Sequence, residues 1–194
     1  AGNFIENKAA GPAVNTDPGS FNVIVKPQTY KYDPVALETA NKVAVADLSQ
    51  LTETDLTNIK NALKVEYSKT NDDAQLASKK GTLLDDAKTV VDSVAQSGSN
   101  LTITYKDGST DTKPLSEYVS LNKQPAIDAI NAAADNKIAE INSNTNATAE
   151  EKAAAIEKVN ADKTKALTAI NDNSVTTKAA LDNAKTSGTT AISN

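Results

Sequence analysis

Residues 144–159 read Asn144-Thr-Asn-Ala-Thr-Ala-Glu-Glu-Lys-Ala-Ala-Ala-Ile-Glu-Lys-Val159, and this run divides the chain. Thr148 stands three residues ahead of Glu151, at the head of an Ala/Ile-rich stretch. That is the spacing of a capping box, in which the hydroxyl accepts from a free first-turn amide and the Glu side chain reaches back to the cap amide. A helix start therefore falls inside a segment, Gln124 to Asn194, made almost entirely of Ala, Ile, Asn, Lys, Asp, Glu and Thr. Pro125 and Gly188 are its only proline and glycine.

Three helices fit this segment. Pro125 suits a first helical position, and Ile127, Ile130, Ala134, Ile138 (or Lys137) and Ile141 follow at heptad-like spacing to about Ser143. The second helix, Ala149 to about Asn171, carries Ile156, Val159, Lys163, Leu167 and Ile170 on one stripe. Asn173 or Ser174 is expected to cap the third, with Val175, Leu181, Ala184, Gly188 and Ala191 or Ile192 facing inward. Such thin, Ala-rich stripes do not stabilise a lone helix. Packed antiparallel they make a slim bundle with close axes, a rod of roughly 30 Å at about 1.5 Å per residue.

Upstream the pattern changes. Residues 1–20 hold two Pro and three Gly and read as an extended lead-in, with a short strand at Asn3–Glu6. Phe21, Val23 and Val25 alternate with Asn22, Ile24 and Lys26, which predicts a strand ended by Pro27; Tyr30–Pro34 then reads as extended linker. Residues 35–46 fit either a short helix or a strand, with Val43, Val45 and Leu48 suggesting a partly buried extended segment. Thr52 and Asp55 offer a second cap, and Leu56, Ile59, Leu63 and Tyr67 mark one face of a helix over about 53–67. Residues 82–97 are torn between a helical face (Leu83, Leu84, Ala87, Val91, Val94) and the β-branched content of Thr89–Val94. The clearest β pattern follows: Leu101, Ile103 and Tyr105 alternate ahead of Asp107-Gly108, a hairpin with a tight primed turn, and Pro114 closes its second strand.

Composition narrows the function classes. The 194 residues include seven aromatics and no Trp, Met or Cys, too few large rings for a deep catalytic core. All 20 basic residues are Lys, there is no His, and the net charge of −5 is spread with both signs interspersed. That is a solvated surface, not the clustered basic face that nucleic acid requires. No run of about 18 apolar residues is present to span a membrane, and no basic-then-apolar leader opens the chain. Ala1-Gly2 reads as a processing start and the chain as a piece of something longer.

The segment from Ile138 to Asn194 closely resembles a recurring helical module of unknown function, repeated in tandem in giant cell-wall-anchored proteins of staphylococci and lactobacilli. The resemblance rests on Asn146-Ala-Thr-Ala-Glu-Glu-Lys152, Ala166-Leu-Thr-Ala-Ile170 and Ala184-Lys-Thr-Ser-Gly-Thr-Thr-Ala-Ile192. The preceding part, Asp47–Leu121, is similar to Rib-like adhesin modules through LSQLTETDLTNIKNAL and NLTITYKDGSTDTKPLSEYV. Together they resemble the aggregation and methicillin-resistance-associated surface proteins of Gram-positive bacteria. The resemblance implies a strand over 88–96, because those modules place one before the hairpin. It also implies an extracellular location, anchored to peptidoglycan in the full-length protein, although the Leu-Pro-x-Thr-Gly anchoring signal is absent here.

Candidate chemistry is sparse. Without His and Cys the commonest acid/base and thiol mechanisms are missing. The adjacent pairs Asp72-Asp73, Asp85-Asp86 and Glu150-Glu151 read as turn and cap residues, since neighbours in a helix or strand point different ways. Asp107, Ser109 and Asp111 form an oxygen-rich set, but their spacing fails the twelve-residue calcium loop and a turn explains Asp-Gly. No catalytic, cofactor-binding or metal-ligating residue is therefore assigned, and no cofactor is expected. The hairpin edge could accept a strand, most simply the N-terminal one of the same chain.

The expected fold is α+β: a lead-in over 1–46, a small α/β module with a β-hairpin over 47–121, and an elongated antiparallel three-helix bundle over 122–194. The expected function is a non-enzymatic segment of a surface adhesin, with the bundle as spacer and the upstream module mediating cell aggregation, biofilm formation or host attachment. Its candidate partners are other copies on neighbouring cells, or a host matrix protein or glycan, without nucleic acid or membrane insertion. The rival is a passive stalk with no ligand of its own.

Overall fold

The computed structural model describes Gly19 and residues 24–194. The strand expected at Asn3–Glu6 and the first half of the Phe21–Lys26 alternation lie outside those residues. In chain order come a single-turn helix α1 (Gln28–Lys31), β1 (Tyr32–Val35), β2 (Val43–Val45), α2 (Glu53–Ala62), β3 (Lys64–Tyr67), β4 (Val91–Ser97), β5 (Asn100–Tyr105), β6 (Thr110–Pro114) and β7 (Val119–Leu121). Three long helices follow, α3 (Gln124–Asn142), α4 (Ala149–Asn171) and α5 (Lys178–Ser193). The fold is α+β, with the sheet region first and the three packed helices after it.

Strands pair in three small sheets. β4-β5-β6 is an antiparallel meander, β1 runs antiparallel to β3, and β2 runs parallel to β7. On the central strand β5 the alternation works as the sequence implies: Leu101, Ile103 and Tyr105 are fully buried, and Thr102 and Thr104 between them are not. Ile59 of α2, Val45 of β2, Val65 of β3 and Tyr118 just before β7 complete the same core. Each such aliphatic side chain contributes about 1.5–3 kcal/mol on burial.

The Asp107-Gly108 turn differs from the expected primed turn. Within this turn only Gly108 takes a positive φ, +87°; Asp107 does not. A two-residue type I′ turn would need positive φ at both central positions. Instead Gly108 N–H donates to Tyr105 O at 2.9 Å and Tyr105 N–H to Ser109 O at 2.8 Å. This is the three-residue loop in which a left-handed glycine follows a type I turn. The tight two-residue turn lies one hairpin earlier, between β4 and β5, where Gly98 at φ +59° takes the first central position.

Three local readings are corrected. Residues 30–34 are not a linker: Tyr30 lies in α1, and Tyr32–Val35 forms β1. Ile24 to Pro27 carries no strand, and Pro27 is instead the N-cap of α1. The second helix has its expected start, with Thr52 and Asp55 forming a complete capping box, but it ends at Ala62. Leu63 turns the chain into β3, so Tyr67 belongs to a strand, where its ring sits 5.5 Å from that of Tyr32. Residues 88–96 resolve in favour of a strand from Val91 onward, after a short 3₁₀ turn at Ala87–Thr89 capped by Asp86. The segment before residue 47 also packs on the module, since Tyr32, Leu37, Val43 and Val45 join the buried cluster of Ile59 and Leu101.

A second buried cluster lies in the helices: Ala126, Ile130 and Ala134 of α3, Val159, Ala166 and Ile170 of α4, and Leu181 and Ile192 of α5. Thr148 and Glu151 form both bonds of the capping box, at 3.1 and 2.9 Å. The cap of α5 is Thr177, which accepts from Ala180 N–H, rather than Asn173 or Ser174. Ser174 N–H is already taken by the Asp172 carboxylate at 2.8 Å, in a turn that precedes the helix. Gly188 shows why the sequence keeps a poor helix former there. A Cβ at that position would lie 2.6 Å from Ile130 Cδ1 and 2.7 Å from Ala166 Cβ, so the three helices meet where it has no side chain.

Candidate functional site

The oxygen-rich set in the hairpin loop binds the α1 turn of the lead-in. Asp107 Oδ2 accepts from Gln28 N–H at 2.7 Å, at the start of α1. Its other oxygen accepts from Ser109 Oγ at 2.6 Å and Ser109 N–H at 3.0 Å. Thr29 N–H donates to Ser109 Oγ at 3.2 Å, and Thr29 Oγ1 donates to Asp111 Oδ1 at 2.7 Å. Tyr105 reaches the remaining Asp111 oxygen at 2.8 Å from inside the core. Each oxygen of these two carboxylates accepts from a protein donor, and among the described residues no group of three or more His, Cys, Asp or Glu stands where it could hold a metal ion.

The electrostatics follow from those bonds. The Ser109 hydroxyl, then the Gln28 amide, holds the Asp107 carboxyl below its ordinary value. Burial, then the Asp111 carboxylate it donates to, pushes the Tyr105 phenol well above its ordinary range. The hairpin therefore acts as a latch for α1. Among the described residues, the start of β6 receives the α1 turn through Thr29, and the N-terminal strand expected to pair with the hairpin lies outside them.

The acid pairs separate into individual structural roles. Asp72 accepts from Lys26 Nζ at 2.8 Å and Tyr30 Oη at 2.6 Å, while Asp73 caps the next 3₁₀ turn through Gln75 N–H at 2.9 Å. Asp86 caps Lys88 N–H at 2.9 Å, and Glu151 closes its capping box beside an exposed Glu150. Asp72 and Asp73 line one open surface hollow and Asp85 and Asp86 another, but Asp72, Asp73 and Asp86 spend oxygens on the local bonds just given.

The remaining feature is the path of the chain through the bundle. β7 passes into α3 through Asn122 and Lys123 alone, and Asn122 N–H donates to Val45 O at 2.7 Å. Lys123 Nζ donates to Asp172 O at 3.0 Å, which brings the α4–α5 turn beside the start of α3. At the far pole Lys152 Nζ reaches Asn142 O at 3.2 Å, and Lys137 Nζ reaches Ser193 O at 3.1 Å. The helices thus run up, down and up, so the chain enters at one pole and leaves at the other. At the entry pole a cleft of about 360 Å³ separates the loop after β2, with Asp47 and Ser49, from Lys178 and Asp182 at the head of α5.

Residues 122–194 match a domain of unknown function, DUF1542, which is found in Gram-positive surface proteins. The match covers all three helices and a little over a third of the chain. No curated protein matches the chain. No solved structure matches it. Among the described residues no helix is long and apolar enough to cross a membrane.

The sequence singled out Asp107, Ser109 and Asp111 correctly as a group but not their partners. Gln28 and Thr29 lie about eighty residues upstream, and nothing local to Gln28-Thr29 marks them as a docking turn.

Proposed function

We propose that the chain is a non-enzymatic segment of a bacterial cell-surface adhesin, in which the helical bundle is a rod-like spacer carrying the α/β module. The carrying observation is the pole-to-pole path through α3, α4 and α5. An odd number of antiparallel helices puts entry and exit at opposite ends, so bundles joined in series add their lengths instead of folding back. α4, with 23 residues, sets the rod at about 35 Å. The match of this bundle to a domain of Gram-positive surface proteins supports the same reading. In it the α/β module serves cell aggregation, biofilm formation or host attachment.

Two measurements test the two parts. Appending a second copy of residues 122–194 to the full chain should lengthen it in solution scattering by about 30 Å; a chain that grows in width instead would overturn the spacer. Display of the chain on a non-aggregating cell should cause clumping, or binding to fibrinogen, fibronectin or a glycan. A display strain that does neither removes the adhesive role and leaves the spacer standing.

A further inference from the structure

A spacer on a cell surface carries tension, and the strand pairing that leads into the bundle has a geometry suited to it. β2 and β7 are parallel, with Val43 opposite Val119, Ala44 opposite Ser120 and Val45 opposite Leu121. Load arriving from upstream, once the α1 latch and the β1–β3 pair have yielded, pulls β2 from its Val43 end. Load transmitted through α3 pulls β7 from its Leu121 end, with two residues between it and the helix. Two parallel strands pulled from opposite ends slide along their common axis, so every cross-strand hydrogen bond is loaded at once. Pulled from the same end they would peel, one bond at a time.

The contacts around the pair fit this geometry. Val43 N–H donates to Tyr118 O at 2.9 Å and Asn122 N–H to Val45 O at 2.7 Å, bracketing the strands at both ends. Leu37 N–H adds a bond to Glu117 O at 3.0 Å ahead of β2. Val45 of β2 and Val119 of β7 are buried in the main core, which anchors one face of the pair. In the bundle, by contrast, the backbone bonds of α3, α4 and α5 run within each helix and the helices meet through side chains, so they can part in sequence.

We propose that the parallel β2–β7 pair is a force-bearing clamp, which holds the α/β module folded at loads that open the bundle. The tension itself rests on the spacer reading above; the clamp is a property of the fold and is measured apart from it.

The test is single-molecule stretching of the full chain. It has no cysteine of its own, so introduced thiols are unique attachment points. Asn41→Cys with Gln124→Cys loads the pair in shear, and Ala46→Cys with Gln124→Cys loads it in peeling; all three positions are exposed. Rupture in shear should need about twofold more force, because forced unfolding follows the unfolding barrier along the pulled direction. Equal or lower force in shear would overturn the clamp. The unsubstituted chain, stretched through end handles, gives an independent reading. The span of the bundle should be released first, and the span from Val43 to Leu121 last; release of the α/β span before the bundle would also overturn it. Neither result depends on whether displayed cells clump or the tandem chain lengthens.

Discussion

Thr29 Oγ1 donates to Asp111 Oδ1 at 2.7 Å across 82 positions of sequence, and the other Asp111 oxygen accepts from Tyr105. One carboxylate therefore ties the start of the described fold to the buried face of its central strand. Replacing Thr29 by Val keeps the shape and removes the donor, leaving Asp111 its Tyr105 bond. The expected cost is about 1 kcal/mol. Hydrogen exchange should show it as faster exchange at the Gln28 and Thr29 amides, with β5 amides unchanged.

The latch should also depend on pH. Its Asp107 carboxyl titrates below the ordinary 3.8 in the folded chain, chiefly through the Ser109 hydroxyl and then the Gln28 amide. A depressed folded value means the stabilisation is fully present above the unfolded value and is lost as pH falls through the folded one. Protection of the Gln28 amide, corrected for intrinsic exchange, should hold from neutral pH down to about 5 and fall below about 4. Asp107→Asn should remove that dependence.

Two buried tyrosines should respond oppositely to loss of the hydroxyl. Tyr105 donates to Asp111 at 2.8 Å, so Tyr105→Phe should lower stability by about 1–2 kcal/mol in urea unfolding. The buried Tyr118 hydroxyl has no hydrogen-bond partner among the described residues. Tyr118→Phe relieves that desolvation and should leave the midpoint unchanged or raise it.

The capping box of α4 gives a graded test. Thr148→Ala should destabilise the bundle by about 1 kcal/mol, while Glu151→Gln, which still reaches the cap amide, should cost less. Circular dichroism melts of the two variants should rank in that order.

Gly188→Ala should cost more than its gain in helix propensity returns. The new methyl would meet Ile130 Cδ1 at 2.6 Å and Ala166 Cβ at 2.7 Å, an overpacking penalty of about 1–3 kcal/mol. Adding Ile130→Val removes the first of those contacts and should recover part of the lost melting temperature.

How much of this was legible depended on whether the deciding contacts were local. Capping boxes at Thr52 and Thr148 are read from four consecutive residues, and both exist as expected. The stripes of α3, α4 and α5 are periodic, and most of their residues face the bundle core. Ala166 lies off the expected stripe because Lys163 and Leu167 occupy the heptad-like positions beside it, yet it is buried against the Gly188 position. The end of α2 was misread because Leu63 and Tyr67 continue the helical spacing; long-range pairing of Tyr67 with Tyr32 draws that tail into β3. The hairpin strands were legible, but its loop length was not: Asp-Gly suits two turn types, and the Tyr105–Ser109 bond chooses between them. The latch was out of reach for the same reason, its two halves being far apart in sequence.

The convergence at Gly188 has one more consequence. With Ile130 of α3 and Ala166 of α4 both seated against a position that has no room for a methyl, the close approach of the three helices favours one axial register. A sliding of one helix by a turn would bring a side-chain-bearing residue of α5 to that point. Bundles of this sequence joined end to end would thus repeat at a constant pitch, and the reach of the array would be set by counting copies.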